Sequence, residues 1–426
     1  MRHIGLVVRG VTTMVSGPAM RTVDILVGPD GRIASIQDAH ASPVCARSPG
    51  MSIIDARRML VVPGLVNAHC APWLDGTGGA STAARGVTPR AAVRRPVALM
   101  ADMARRGVTT ACLVAAPRYA DVVADASVRV GMRAVVALAV SDRAKEGDPA
   151  VVASDDLNRV EAFARLWRPY PTVRAAIGLY DAAACRRAYL HAMVWGARDR
   201  GLSVHARLAK GNRDGARRAT PQGGASRVAM TALGARPGDF SAVIDRDMSV
   251  NDLDAVAMAG LGIVYDDGAP LLSRAHNSTV TEATPTTRSH LATPHASRTV
   301  GARIGSPAVE ALAMGTGDPW TRMRALSTID ASGRADRVWK IATVGGGRVL
   351  GLDGCGVGAL QVGGVADMVV VDPRRFDPSL ADASGHRAAD AILRHCRPGD
   401  LAYVIVDGRV VAARGRPTLV DECLLH

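Results

Sequence analysis

Side chains that can move protons or hold anions stand at the ends of three short apolar runs. His69 ends the first run, and imidazole is the side chain that most readily exchanges a proton near neutral pH. His205 and Arg207 are two residues apart in the second run, so a strand would point both to one side. Asp266 and Asp267 end the third run. These residue types are suited either to acid–base chemistry beside an anion-binding guanidinium or to structural ion pairs and core positions.

Apolar strands and amphipathic helices alternate through the middle of the chain. The predicted strands cover 65–68, 109–115, 134–140, 174–179, 203–208, 241–245 and 262–265, with a weak eighth at 302–305. Helices are predicted between them, for example at 97–106, 182–200 and 251–258. Each of four glycines follows a helix where the chain must turn: Gly107, Gly131, Gly201 and Gly260. Eight strand–helix units predict an α/β fold of the (β/α)8 barrel type.

Short strands are predicted at both ends of the chain. The N-terminal segment contains apolar runs at 4–8 and 24–27, and the return strand at 32–36 follows a turn. After a helix at 338–350, strands are expected at 368–372, 401–406 and 409–413, with Asp407 and Gly408 as a hairpin turn. The segments 211–228 and 273–300 are rich in Gly, Ser, Thr and Pro. They are expected to be long loops at the active-site face.

Composition excludes several classes of protein. The net charge is +13, but the arginines are scattered and no basic run is interleaved with aromatic residues, so no nucleic-acid partner is expected. Seven separated cysteines form no CxxC pair, which argues against a zinc ribbon or a disulfide scaffold. No signal segment or membrane-spanning run is evident. A cytoplasmic protein is therefore expected, and the Arg, Ala and Gly loading suggests a bacterial genome.

Four segments resemble motifs of the amidohydrolase superfamily, most closely its cytosine, guanine and triazine (ATZ/TRZ-like) aminohydrolases. Residues 61–71 read VVPGLVNAHCA, 341–352 read IATVGGGRVLGL, 356–372 read GVGALQVGGVADMVVVD and 404–411 read VIVDGRVV. The resemblance implies a (β/α)8 barrel over 63–358. A small composite β-sandwich would be built from 1–62 and 359–426, and family analogy favours a homodimer.

The resemblance also shows where this chain departs from the family pattern. In active members, histidines of the first, fifth and sixth strands and an aspartate of the eighth hold a metal. A glutamate after the fifth strand shuttles protons. The matching positions here hold Ala71, Arg207, Asp245 and Pro307, with Lys210 in place of the glutamate. A guanidinium offers no lone pair to a metal, so neither a catalytic metal nor any other cofactor is expected.

Two interpretations of the altered site remain open. In the first, Arg207 and Lys210 replace the charge of the metal and hold a carboxylate, a phosphate or a developing oxyanion. In the second, Arg207 forms a structural salt bridge with Asp245. His69 is either a relic that fills its position or a retained acid–base group. Cys70 points to the other side of the strand and is a poor candidate for a nucleophile.

The candidate catalytic residues are therefore His69, His205, Arg207 and Asp245, and no residue is assigned to a metal. The candidate substrate-binding residues are Lys210, Asp266, Asp267 and His276. We expect a metal-independent enzyme acting on a small polar or nitrogen-heterocyclic substrate, which could be anionic. The alternatives are a non-catalytic pseudoenzyme that binds a ligand or a partner subunit, and a metal-dependent hydrolase of C–N bonds.

Overall fold

A computed structural model describes most of the chain. The described residues are 5–13, 20–39, 51–71, 89–142, 145–180, 182–208, 224–244, 248, 250–266, 272–274, 300–302, 309–329, 335–382 and 385–420. The domain limits inferred from the sequence stay a prediction.

The strands are β1 Leu6–Thr13, β2 Arg21–Val27, β3 Ile33–Asp38, β4 Ser52–Asp55, β5 Leu60–Pro63, β6 Leu65–Cys70, β7 Val108–Ala115, β8 Arg133–Val140, β9 Val173–Leu179, β10 Ser203–Arg207, β11 Phe240–Ile244, β12 Gly262–Tyr265, β13 Leu272–Arg274, β14 Val300–Ala302, β15 Glu310–Leu312, β16 Met368–Val371, β17 Leu401–Val406, β18 Arg409–Ala413 and β19 Arg416–Pro417. The α-helices are α1 Pro89–Arg105, α2 Ala120–Val130, α3 Pro149–Trp167, α4 Arg187–Asp199, α5 Gly224–Thr231, α6 Val250–Met258, α7 Pro319–Ile329, α8 Ala335–Ala342, α9 Val344–Val349 and α10 Gly385–His395.

Eight parallel strands form a nearly closed barrel in the order β15-β12-β11-β10-β9-β8-β7-β6. The seam between the first and last strands is bridged by the Asn67 side chain. Its Oδ1 accepts from the Met314 backbone N–H at 2.8 Å, and its Nδ2 donates to the Gly315 carbonyl at 2.9 Å. Helices between the strands cover the outside of the barrel, so the predicted (β/α)8 architecture is confirmed.

The eighth barrel strand is Glu310–Leu312 rather than the predicted 302–305. Residues 300–302 instead pair with 272–274 in a separate two-stranded sheet. The prediction failed because the real strand is three residues long and its alanine carries little of the β-branched signal on which strand prediction depends. The segment 224–228, predicted as part of a loop, begins helix α5.

The glycine-rich helix α9 packs against the amino ends of barrel strands. A Cβ added at Gly345, Gly346 or Gly347 would collide with Glu310, Val66 or Val357 respectively. The three glycines therefore let the helix backbone approach the strand ends more closely than any side chain would permit. The predicted continuous helix over 338–350 is split at Thr343 into α8 and α9.

Strands from both ends of the chain join in one nine-stranded sheet, in which β5 connects the N-terminal and C-terminal parts. One face of this sheet carries its own apolar cluster, which includes Ile25 and Met368. The other face contributes Leu401 and Val404 to the apolar core that surrounds the barrel. The chain is thus a (β/α)8 barrel with a β-rich domain built from both termini.

A buried ion-pair cluster joins the barrel to this sheet. Arg133 of β8 donates from Nε to Asp367 at 2.9 Å and from a terminal nitrogen to Asp407 at 3.0 Å. The Asp407 backbone N–H, in the turn before β18, also donates to Asp367 at 2.8 Å. Burial disfavours the charge on Arg133, but the two carboxylates outweigh that cost and hold its pKa above the usual value.

Replacing Arg133 with methionine should lower the free energy of unfolding by about 3–5 kcal/mol, because Asp367 would stay buried without its cation. The urea midpoint measures this. Arg129→Met is the matched control, since Arg129 pairs with Asp125 at an exposed site. That change should cost no more than about 0.5 kcal/mol. Equal midpoints for the two variants would contradict the assigned role of Arg133.

Candidate functional site

A β-bulge turns His69 into the barrel. The pairing between β6 and β7 shifts register between Asn67 and Cys70. Ala68 packs in the interior and Cys70 packs in the outer core, while Ala71 again packs against an interior cluster. The extra residue allows both Ala68 and His69 to face inward. Alanine therefore occupies the inward position where the family pattern has its second histidine.

His69 contacts a second buried histidine across the barrel. Its Nδ1 lies 2.8 Å from Nε2 of His205, and the two rings stack with centroids 5.1 Å apart. On the far side of His205, Nδ1 lies 2.7 Å from the Ser241 hydroxyl. The three residues come from β6, β10 and β11, and each is less than 5% exposed. They form a continuous hydrogen-bonded chain through the barrel interior.

Sequence reasoning missed Ser241. A signal was present, since Ser241 is a small polar residue in an otherwise apolar strand. It also shares a side with Asp245 by strand alternation. What the sequence could not supply is the register that sets Ser241 directly opposite His205. The structure thus adds one polar residue to the predicted site.

Arg207 lies at the carboxyl end of β10 and forms an ion pair with Asp266. Its terminal nitrogen is 3.0 Å from a carboxylate oxygen, and the two side chains are 15% and 19% exposed. The guanidinium carbon also lies 5.7 Å from the centroid of the Tyr180 ring, within range of a cation–π contact. Asp266, predicted to contact substrate, is thus brought against the predicted anion-binding residue. The proposed pair between Arg207 and Asp245 stays a prediction.

Burial and charge keep both histidines neutral. Burial, together with the charge of nearby Arg207, lowers the pKa of His69 to about 3. Burial, together with His69, also lowers the pKa of His205 well below its ordinary value. A second positive charge in this interior would be opposed by desolvation and by Arg207. At neutral pH the pair therefore donates and accepts hydrogen bonds without carrying charge.

The described donor set does not suit a catalytic metal. The facing nitrogens of His69 and His205 are used by each other. Arg207 offers no lone pair, and the inward side chain at the end of the eighth strand is Ala313. Among the residues that the structure describes, no three His, Cys, Asp or Glu side chains converge as metal ligands would.

Several residues singled out from the sequence lie outside the described residues: Lys210, Asp245, Asp267, His276 and Pro307. Their roles stay predictions. The observed eighth strand is Glu310–Leu312, which begins after Pro307. Pro307 is therefore not at the position after this strand where the family pattern has its aspartate.

A separate cavity of about 800 Å³ opens at the opposite, amino end of the strands. Trp195, Arg174 and Arg348 contribute to its wall, and none of the residues of the His69 chain lines it. In parallel α/β barrels the chemistry lies at the carboxyl end of the strands. The polar group around His69 and Arg207 is therefore the better candidate site.

Comparison with known proteins agrees with this architecture. The model of the amidohydrolase family matches residues 60–411. The fold resembles a zinc-bound adenosine deaminase from Xanthomonas campestris, with a TM-score of 0.72, 16% identity, and coverage of 99% of this chain and 96% of that one. It also resembles the zinc complex of atrazine chlorohydrolase TrzN from Arthrobacter aurescens TC1, with a TM-score of 0.69, 16% identity and 98% coverage of each chain.

The guanine deaminase of E. coli is a third neighbour, with a TM-score of 0.66, 15% identity, and coverage of 96% of this chain and 99% of that one. A comparison with curated protein sequences finds no match. Because the family model spans most of the sequence, the chain belongs to the amidohydrolase family. Within the described residues, no helix is long and apolar enough to cross a membrane.

The buried neutral histidines should make stability depend on pH. An unfolded histidine titrates near 6.5, whereas folded His69 titrates near 3. The unfolded chain therefore binds more protons between these values, so stability is full above pH 6.5 and falls as the pH decreases toward 3. At pH 5 the loss from His69 should be about 2 kcal/mol relative to pH 7.5.

Urea unfolding of the wild type and of His69→Gln at a series of pH values measures this effect. The slope of unfolding free energy against pH should be shallower in His69→Gln. The control is His191→Gln, which changes an exposed histidine of α4 and should leave the slope unchanged. Identical slopes for wild type and His69→Gln would show that His69 is not held neutral in the folded protein.

Proposed function

We propose that this chain is a metal-independent enzyme built on the amidohydrolase scaffold, acting on a small polar or nitrogen-heterocyclic metabolite in a bacterial cytoplasm. The observation that carries the proposal is the position of Arg207. Its guanidinium stands inside the mouth of the barrel beside His69, where the family pattern has a metal-binding histidine, and it pairs with Asp266.

Arg207 supplies fixed positive charge without a metal. A guanidinium presents five N–H donors in a planar fork, and Asp266 engages one terminal nitrogen of that fork at 3.0 Å. A substrate carboxylate, phosphate or developing oxyanion would bind the guanidinium as a further anion. The Arg207 guanidinium also lies over the aromatic ring of Tyr180, which adds a cation–π contact. These contacts favour an anionic substrate, or one that becomes anionic during reaction.

His69 is better suited to orienting a substrate through a hydrogen bond than to acting as a protonated acid in the free protein. Since its pKa lies near 3, it is neutral at pH 7 and a weak base in the free protein. An anion bound to Arg207 would offset the charge that contributes to this low pKa, so the imidazole would accept a proton more readily with substrate present. The reaction classes that fit are hydrolysis, elimination, isomerisation and condensation, because each can develop negative charge near a guanidinium.

The remaining predicted residues complete the proposed site. Asp245 follows β11 and is assigned an acid–base or orienting role, while Lys210, Asp267 and His276 are assigned to substrate binding. A homodimer is proposed by family analogy. Exposed Met230, Leu233 and Met258 on and beside the neighbouring helices α5 and α6 support the presence of an apolar contact surface.

The alternative is a non-catalytic protein that binds a ligand or a partner subunit. One observation favours it: the described polar groups satisfy one another. His69 bonds His205, His205 bonds Ser241, and Arg207 pairs with Asp266. A former active site closed in this way could persist as a polar core that fixes the barrel.

Substitution of Arg207 separates these functions. Arg207→Ala should abolish binding and turnover of the metabolite that a screen of carboxylated and phosphorylated nitrogen heterocycles identifies. Arg207→Lys should recover only part of the affinity, because lysine cannot bind an anion with two parallel N–H donors. Calorimetry and product analysis report the outcome. Arg187→Ala, an exposed arginine at the start of α4, is the control. Full turnover in Arg207→Ala would overturn the proposal.

Metal analysis tests the other half of the proposal. Protein purified without chelators should contain much less than one equivalent of zinc, iron or manganese by mass spectrometry. Added chelator should leave the unfolding midpoint unchanged, since no metal would be linked to folding. Stoichiometric metal that is lost in His69→Ala would overturn metal independence and favour the metal-dependent alternative, a hydrolase of C–N bonds.

A further inference from the structure

The hydrogen-bonded chain of His69, His205 and Ser241 has a direction that the heavy atoms constrain. Each neutral imidazole carries one proton, on either Nδ1 or Nε2. The contacts use Nδ1 of His69, both nitrogens of His205 and the hydroxyl of Ser241. Only two protonation patterns let every link contain one donor and one acceptor.

In the first pattern both imidazoles carry their proton on Nδ1. His69 donates to His205, His205 donates to Ser241, and the hydroxyl of Ser241 is free to donate elsewhere. In the second pattern both imidazoles carry the proton on Nε2. Ser241 then donates to His205 and His205 donates to His69, so every donor and acceptor role is reversed.

The surroundings of Ser241 favour the first pattern. Its hydroxyl oxygen lies 3.4 Å from the backbone carbonyl of Val204. A carbonyl only accepts, so the Ser241 hydrogen directed there leaves the hydroxyl oxygen to accept from His205. In the second pattern this hydrogen bond to the carbonyl would be lost, and the two oxygens would face each other with no hydrogen between them.

The outer end of the chain is Nε2 of His69, and the charge of Arg207 contributes, after burial, to the low pKa of this histidine. His69 Nε2 makes no hydrogen bond with any residue that the structure describes. In the first pattern this nitrogen is an unprotonated acceptor.

We propose that Ser241 is a positioning residue. It fixes both histidines as Nδ1–H tautomers, so that His69 presents a bare Nε2 as a hydrogen-bond acceptor to the substrate. This deepens the function proposed above. An acceptor on His69 beside donors on Arg207 matches a substrate that offers an N–H next to a carbonyl or anionic oxygen. Lactams and cyclic ureides present that pair of groups on one edge.

The tautomers can be measured directly in the full chain without any substrate. The ¹⁵N shifts and two-bond ¹⁵N–¹H couplings of labelled histidine distinguish a protonated from an unprotonated ring nitrogen. His69→Gln and His205→Gln assign the two residues among the 11 histidines. We expect both to be Nδ1–H at pH 7.5. Two Nε2–H tautomers, or an imidazolium at either position, would overturn the proposal.

Ser241 variants test the cause of this arrangement. Ser241→Ala removes the acceptor for His205, so the Nε2–H form should become detectable at both histidines together. Ser241→Thr retains the hydroxyl and should keep the wild-type spectrum. If Ser241→Ala leaves both tautomers unchanged, the direction of the chain is set elsewhere and Ser241 is not the positioning residue.

The outcome is independent of whether turnover is found. If no metabolite is processed, the proposed function fails, and the wild-type spectrum still decides the tautomers. If a substrate is found, its N-methylated analogue should bind at least about tenfold more weakly, because His69 would then face a methyl group. Ser241→Ala should lower turnover by about tenfold or more, with Ser241→Thr restoring it. Equal binding of the N-methylated analogue would refute the acceptor role of His69.

Discussion

The closure of the barrel at Asn67 is the constraint on which the site depends. A parallel barrel brings the carboxyl ends of all its strands to one rim, but only if the first and last strands are held together. Here the Asn67 amide bonds both the N–H of Met314 and the carbonyl of Gly315, across a seam where β6 and β15 are not neighbours in the strand order. Two residues later the bulged strand turns His69 inward. The same segment therefore closes the barrel and delivers its central imidazole.

In the closed barrel, electrostatics determines which side chains at the carboxyl end of the strands carry charge. Arg207 is a cation at a mostly buried position, and among the described residues it pairs with the carboxylate of Asp266 and lies near the neutral imidazole of His69. An imidazolium would add like charge at a buried position, so the histidines are confined to hydrogen bonding. In a metal-centred site the ion holds its histidines as ligands and activates water. In the part of the chain that the structure describes, His69 and His205 instead bond each other within the fold of the amidohydrolase family.

Particular elements show which features local sequence could predict. Gly107, Gly131, Gly201 and Gly260 all have positive φ where helices end, as their positions indicated. The Asp407-Gly408 hairpin was predicted for the same reason, because both residues tolerate left-handed backbone. The prediction of the eighth strand was wrong, because three residues are too few to show the alternation of apolar and polar residues that predicts a strand. The splitting of 338–350 at Thr343 was also missed, because it depends on how closely the glycines of α9 approach the strand ends.

The sequence by itself determined the family and the barrel, because motif spacing and strand alternation are local properties. It also has Ala71 and Arg207 at positions where the family motif has histidines. Only the tertiary structure decided which side chains contact Arg207 and His205. Asp266 follows a different strand from Arg207, and Ser241 lies opposite His205 only in the observed register of β10 and β11. A contact between strands depends on register and on the direction of each side chain. Neither is encoded within a single segment, so the hydrogen-bonded chain that defines the site emerges only when the barrel closes.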